Sequence, residues 1–408
     1  MATDSKTRVA PSTMPESVNS EIERVLQSGL GELSLRELMG LMLSGLGLAE
    51  RKAYLARSGA DKANGFYDRS LLVGSLPVEL RVPRTRSGEF RPSSLPAHYS
   101  RGYPEESQAL LLGLLASSRS VSAAKEALRR MGLSSSEQDL DTVAAGLIEE
   151  LELRNTRSLE ADLLALFLDG KHIEIKDGDR LRPACIYLAI GLGRDGKKRV
   201  LTCLAKFGRE NLEDWKTILR SLVERGLRRV LMVIHDDFSG LLPVSRSLFP
   251  GADVQLCVVH MQRNAKSHLS KTDAAEFQQR WRTVKAAWDV EVGAHQFEEL
   301  CDRFADASPA FIAELRKKRE HYLAFLKYPE LIRRSLSTTN AVEAINGQLE
   351  IVRRNSGGYF QSEDVLKLKL GMAISTLEGG RWNRSAASIA TSLNQMNAIF
   401  ERRFEEAA

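Results

Sequence analysis

The chain has 408 residues, 43% of them hydrophobic and 27% charged, with a formal net charge of +5 and a sequence pI near 8.9. That length allows several domains and a large core, and the mild basic surplus suits a nucleic-acid partner without singling one out. Four scattered cysteines (Cys185, Cys203, Cys257, Cys301) speak for a reducing cytoplasm and against a disulfide framework. Met1–Ser20 has no apolar centre for a signal peptide, and no apolar run approaches the roughly 18 residues of a membrane span.

Residues up to about 14 read as disordered. Glu16 to Leu55 is predicted helical, with Val18, Ile22, Val25 and Leu26 at helical spacing. Gly29, Gly31 and Gly45 are expected to divide it into two or three helices. Leu35, Leu38, Leu41 and Leu43 suit core or dimer contact. From Arg51 to Arg101 ten basic residues stand against four acidic ones, a surplus larger than that of the whole chain. Leu76, Val78, Leu80 and Val82 alternate as in a strand, and Pro83–Gly88 follows as a turn. Arg81, Arg84, Arg86 and Arg91 on this strand and loop suit backbone phosphates; the bland alternative is a solvated loop. Glu105 to Leu153 is again helical, as Glu106–Leu115, Ser122–Met131 and a third helix capped by Ser134–Glu137, an arrangement that could be a helix-turn-helix. The third helix is acidic and wrong for groove reading, so Lys125, Arg129 and Arg130 are the better phosphate contacts.

The core is predicted to begin after Arg157. Leu163–Asp169 is a short apolar run that stops at Asp169-Gly170, as a buried strand delivering a carboxylate would; a turn aspartate is the alternative. Ala184–Ile190 and Arg199–Ala205 are the next strands, Asn211–Arg225 a helix, Val230–Ile234 a fourth strand, Ser239–Phe249 a short helix and Val254–Val259 a fifth strand. The fourth run ends in His235-Asp236-Asp237. Two strands that each end in Asp can bring carboxylates together, and a divalent cation is one recurring reason to do so. Met261 to Tyr328 is predicted helical. Trp281 and Trp288, seven apart, would share a face as core packing or as a stacking contact to DNA. Ser337–Asn340 caps a helix through Glu350, with Glu343 in its first turn as a dipole partner or a third carboxylate. The tail from Gly380 is helical and expected to pack on the core.

The order βββαβαβ is that of the ribonuclease H-like fold. Phe167-Leu168-Asp169-Gly170, the Asp236–Gly240 segment, Phe249-Pro250 with Gln255, Cys257, His260, Arg263 and Asn264, and Tyr328-Pro329 with Thr338–Asn346 resemble the signatures of Mutator-type bacterial transposases, the insertion-sequence 256 family. Asn64–Arg69, Leu80–Arg84 and Phe90–Pro92 are similar to that family's N-terminal region.

The resemblance implies an α+β, multidomain chain: a ribonuclease H-like mixed-sheet core with a large all-helical insertion, preceded by helical and basic DNA-binding regions. The corresponding divisions are 1–60 (possible dimerisation), 61–104, 105–158, 159–260, 261–337 (the insertion) and 338–408. It implies an Asp-Asp-Glu triad of Asp169, Asp236 and Glu343 holding two Mg²⁺ ions, for which Mn²⁺ would substitute. Cys257 and His260 match the family's Cys/His pair and are expected to be structural, since two ligands are too few for a zinc site. Arg263, Arg353 and Arg354 join the expected DNA contacts. Family members commonly have Asp-Gly where this chain has Asp236-Asp237, and a basic residue where it has Glu350. The implied function is cleavage and strand transfer at the terminal inverted repeats of an insertion sequence by a copy-out route. The expected setting is a homodimer on double-stranded DNA, since synapsis of two ends needs at least two active sites, in a bacterial cytoplasm with no membrane. The rivals are a transposase-derived DNA-binding protein with little or no cleavage, and a structure-specific nuclease on the same fold.

Overall fold

The computed structural model describes residues 35–73, 76–96, 104–130, 137–355 and 357–404. The expectations for residues 1–34 and the Ser134–Ser136 part of the helix cap lie outside them. The described chain forms two compact units. One runs to Leu115 and includes Ser122–Val143; the other comprises Ala116–Val121 and everything from Ala144.

In the first unit, α1 (Leu35–Ser58) is one unbroken 24-residue helix. The expected break at Gly45 is absent. Gly40 of this helix serves close packing: a Cβ there would fall 2.6 Å from the Glu79 carbonyl oxygen. Beneath it lies an antiparallel pair, β1 (Ala63–Val73) and β2 (Leu76–Thr85). The predicted strand is β2; β1 was not foreseen, and β2 runs on through Pro83 and Arg84. Leu71, Val78, Leu80 and Val82 are buried, with Met39 and Leu43 of α1 packed on them. Leu43 therefore folds back on its own chain, while Met42 and Leu46 are exposed. Three helices follow where helices were predicted, α2 (Pro104–Ser117), α3 (Val121–Arg130) and α4 (Glu137–Arg154), and they straddle the division between the units.

The second unit is built on a six-stranded mixed sheet, ordered β5-β4-β3-β7-β8 with β6 also on β3. Its strands are β3 (Asp162–Asp177), β4 (Arg180–Gly193), β5 (Lys198–Phe207), β6 (Arg229–Val230), β7 (Met232–His235) and β8 (Asp253–Leu256). β3, β4 and β5 form an antiparallel meander, and β7 and β8 run parallel to β3. The first strand does not stop at Asp169-Gly170: Asp169 is paired with Leu188 and Gly170 with Tyr187, and the turn comes at Gly178, where φ is +61°. Beyond Gly170 the strand still buries alternate residues, Ile173 and Ile175. The predicted fifth strand is too long, because Cys257 caps α7 (Val258–His268) and so ends it.

Successive side chains of a strand face opposite ways, and both faces are covered. Leu166, Leu168, Tyr187 and Val233 pack under α5 (Leu212–Glu224) and α6 (Leu241–Leu248). Phe167, Ile186, Leu188 and Ile234 pack against the later helices. Each fully buried Leu, Ile or Phe contributes about 1.5–3 kcal/mol. α5 starts where Asn211 accepts from the Asp214 amide, as its sequence suggests.

From α7 to residue 336 the chain is helical: α8 (Lys271–Lys285), α9 (Val290–Phe304), α10 (Pro309–Lys317), α11 (Arg319–Tyr322), a 3₁₀ turn and α12 (Glu330–Leu336). Trp281 and Trp288 do not share a face. α8 ends at Lys285; Trp281 is fully buried and Trp288 is 74% exposed beyond it. Then come α13 (Asn340–Asn355), α14 (Glu363–Gly379) and α15 (Ala387–Phe404), the last packing on the core through Met396 and Phe400. All four cysteines are free and buried. Among the described residues no helix is long and apolar enough to cross a membrane.

Candidate active site

The edge where β3 passes β7 gathers the acidic residues. Phe167 stands opposite Ile234, the last pair of that ladder; Asp169 lies two residues on along β3, and Asp236 directly follows the end of β7. Asp169 is only 7% exposed, and its Oδ2 accepts from Asn346 Nδ2 of α13 at 3.1 Å. Burial, then the Asp236 and Glu210 carboxylates, push the Asp169 carboxyl up to about 7, against the pull of His260 and Asn346. Asp237 is differently occupied: Lys318 Nζ donates to its Oδ2 at 2.6 Å. Of the two neighbouring aspartates, Asp236 is therefore the one coupled to Asp169. His235, fully buried, donates from Nδ1 to the Asp236 carbonyl oxygen and is held below its usual range by burial.

Glu343 lies in the first turn of α13, 43% exposed, with Arg263 Nη2 3.7 Å from its carboxylate. It shares with Asp169 an open cleft of about 430 Å³, whose walls include Lys171, His172, His260, Arg263, Asn346 and Glu350. Among the described residues no three His, Cys, Asp or Glu side chains converge closely enough to hold a metal as they stand. The chemistry of the donors nonetheless fits a hard divalent cation: they are carboxylates, and Asn346 leaves its Oδ1 buried with no hydrogen-bond partner.

Cys257 and His260 sit behind these acids at the start of α7. The Cys257 thiol, then burial acting in the opposite direction, then Asp169 and Asp236 determine the His260 imidazole, which is raised to about 9. Burial pushes the Cys257 thiol up, but His260 and Thr339 outweigh it and leave the thiol below its ordinary value. His260, rather than the pair as a whole, thus acts on the buried Asp169 carboxylate.

The expected DNA contacts fare unevenly. Arg84, Arg86 and Arg91 are exposed and Arg81 is half-buried, 3.8 Å from Asp68 and over the Phe66 ring. Lys125 pairs with Asp141 at 2.6 Å, and Arg129 and Arg130 both pair with Glu126. Arg353 and Arg354 donate to Glu350, whose carboxyl they hold down at about 2, with Arg353 the stronger influence. Arg263 reaches His260 and Glu343. Glu210, His172 and Asn346 escaped the sequence reading; Asn346 stood inside a quoted motif, and Glu210 precedes the helix cap Asn211 with Trp215 one turn on.

The sequence matches the profile described as "Transposase, Mutator family" over residues 13–378. It is similar to the transposase for insertion sequence element ISRM3 of Rhizobium meliloti (strain 1021), 27% identical and spanning 85% of this chain and 86% of that one. It is similar also to the transposase for IS905 of Lactococcus lactis subsp. lactis (strain IL1403), 29% identical over 74% of this chain and 78% of that one. The transposase for IS256 in transposon Tn4001 of Staphylococcus aureus is 28% identical over 60% of this chain and 62% of that one. Among solved structures, the Drosophila P element transposase strand transfer complex aligns at 13% identity with a TM-score of 0.28, over 76% of this chain and 82% of that one, a likeness too weak to carry an argument. The chain belongs to the Mutator family of transposases.

Proposed function

We propose that this transposase binds the terminal inverted repeats of an insertion sequence and catalyses DNA strand cleavage and strand transfer, with Asp169, Asp236 and Glu343 as its catalytic acids. The observation that carries the reading is the buried Asp169, near enough to Asp236 to feel its charge and lifted to about 7. We read the mixed sheet as a ribonuclease H-like core, residues 159–260 and 338–408, interrupted by the helical insertion 261–337. Residues 1–60, 61–104 and 105–158 would serve assembly and DNA binding.

Asp169, Asp236 and Glu343 would hold the two Mg²⁺ ions, which when bound supply the charge stabilisation an in-line phosphodiester displacement needs. Asn346 orients Asp169 through its amide hydrogen bond. The His260 imidazolium tempers the repulsion among the acids. Arg81, Arg84, Arg86 and Arg91 would grip backbone phosphates of double-stranded DNA, and Arg263 is placed to do so beside the acids. Synapsis of two element ends calls for at least two active sites, so we propose a homodimer, with exposed Met42 and Leu46 of α1 at the contact.

The test is strand cleavage of a duplex carrying the terminal repeats found beside the gene. Asp169→Asn, Asp236→Asn and Glu343→Gln should each abolish Mg²⁺-dependent cleavage and retain DNA binding. One observation favours the rival, a DNA-binding protein with little cleavage: Glu343 stands aside on Arg263 and the acids do not converge. Wild-type protein that binds the repeats but leaves both strands intact in Mg²⁺ and in Mn²⁺ would establish that rival.

A further inference from the structure

Gly170 has no left-handed backbone and stands in the middle of β3, so neither a turn nor a positive φ explains it. Its reason is steric. A Cβ at this position would fall 2.5 and 2.7 Å from Oε1 and Oε2 of Glu210. The loop between β5 and α5 thus lays a carboxylate directly on the strand, one residue from Asp169.

That carboxylate is deliberately held. The fully buried Trp215 donates from Nε1 to Glu210 Oε1 at 2.7 Å, and the Glu210 side chain is only 6% exposed. Its one ionisable neighbour within ion-pair reach among the described residues is the exposed His172, 3.5 Å from Oε2. Among the described residues no Lys or Arg lies within that reach. A buried carboxylate anchored by a neutral indole, without a cationic partner, is costly unless something positive completes it. The placement matters as well. Asp169 points to the α13 face of the sheet, where Asn346 holds it, whereas residue 170 points to the α5 face. Glu210 therefore approaches this edge from the face that neither Asp169 nor Glu343 uses.

We infer that Glu210 is a fourth carboxylate of the cation centre, fixed by Trp215 and admitted by the missing side chain at Gly170. The inference rests on the reading of Asp169 and Asp236 as the cation-holding acids.

The test uses the full-length protein without DNA and Mn²⁺ as probe, read by titration calorimetry and by thermal melts in EDTA and in Mn²⁺. Glu210→Gln keeps the volume and the acceptor for Trp215 and removes only the charge. It should lower Mn²⁺ affinity about tenfold or more, melt at or above wild type in EDTA, and gain less from Mn²⁺. Gly170→Ala keeps every charge but displaces the carboxylate, and should also lose Mn²⁺ affinity. A Glu210→Gln protein that binds Mn²⁺ like wild type, or that melts lower in EDTA as a lost structural anchor would, overturns the inference. Asp169→Asn separates the two failures. If it loses Mn²⁺ and Glu210→Gln does not, only the role of Glu210 falls; if neither loses Mn²⁺, the reading of the centre falls with it.

Discussion

The acidic edge of the large sheet and the basic β1–β2 hairpin both carry clustered like charge, but in opposite circumstances. At the edge the charges are buried, Asp169 to 7% and the Glu210 side chain to 6% exposure, and the Asp236 carboxylate acts on both. On the hairpin and the loop that follows it, Arg84, Arg86 and Arg91 are exposed to water, which makes their repulsion cheap. Burial is thus what turns a charge cluster into an informative one. A buried carboxylate without a cation opposes folding and is retained for something else, whereas an exposed arginine costs little to keep whatever it does.

The comparison breaks first if the buried acids carry no energetic penalty. Asp169 sits at about 7 in the folded chain against roughly 3.9 unfolded, so the native state holds the extra proton between those values. The protein in EDTA should therefore lose stability as pH rises from about 4 to 7, by up to about 4 kcal/mol from this group. Asp169→Asn should remove that slope and be the more stable protein at pH 7.5; parallel pH–melting curves for the two would refute it.

His260 has the opposite sign. Its folded value is raised to about 9, so its stabilising charge is fully present below about 6.5 and lost as pH climbs through 9. His260→Asn should cost about 2 kcal/mol near pH 6.5, after allowance for solvent screening, and little above pH 9.5. Chemical denaturation at those two pH values would show it, and an equal cost at both would count against the imidazolium.

On the hairpin, replacing Arg81, Arg84, Arg86 and Arg91 by Ala should weaken binding to element ends and shallow its salt dependence by up to about 0.9 log units per lost phosphate contact. An unchanged slope would return these residues to the solvent. The smallest expected effect falls on Arg51. Its guanidinium donates to the Gly65 and Arg84 carbonyl oxygens and lies over the Phe66 ring. Arg51→Ala should cost about 1 kcal/mol of stability and leave the salt slope unmoved, separating structural arginine from DNA-binding arginine within one small unit.

Much of the large sheet was legible because its strands are buried on both faces and read as apolar runs, such as Leu163–Leu168 and Met232–Ile234. Asp169, Asp236 and Glu343 were singled out through motif order, and Asp169 and Glu343 line one cleft. What escaped depended on contacts distant in sequence. Gly170 looks like a turn residue until Glu210, forty positions on, is seen in the space of its missing side chain. The expected break at Gly45 did not allow for α1 packing on β2, with Gly40 against the Glu79 carbonyl. β1 escaped because Phe66–Leu71 mixes charge and aromatic residues, and only pairing with β2 defines it. Trp288 was assigned to a helix face that ends three residues before it.

The central claim is that Asp236, not its neighbour, faces Asp169 across the cutting site. It is tested most directly by Mg²⁺-dependent strand cleavage by Asp236→Asn beside Asp237→Asn, both folded by circular dichroism and both bound to the same terminal-repeat duplex. Asp237 is engaged by Lys318, whereas Asp236 is coupled to the buried acid. The account predicts a loss of about a thousandfold or more for Asp236→Asn and near wild-type cleavage for Asp237→Asn. Cleavage that survives in Asp236→Asn and disappears in Asp237→Asn would contradict it.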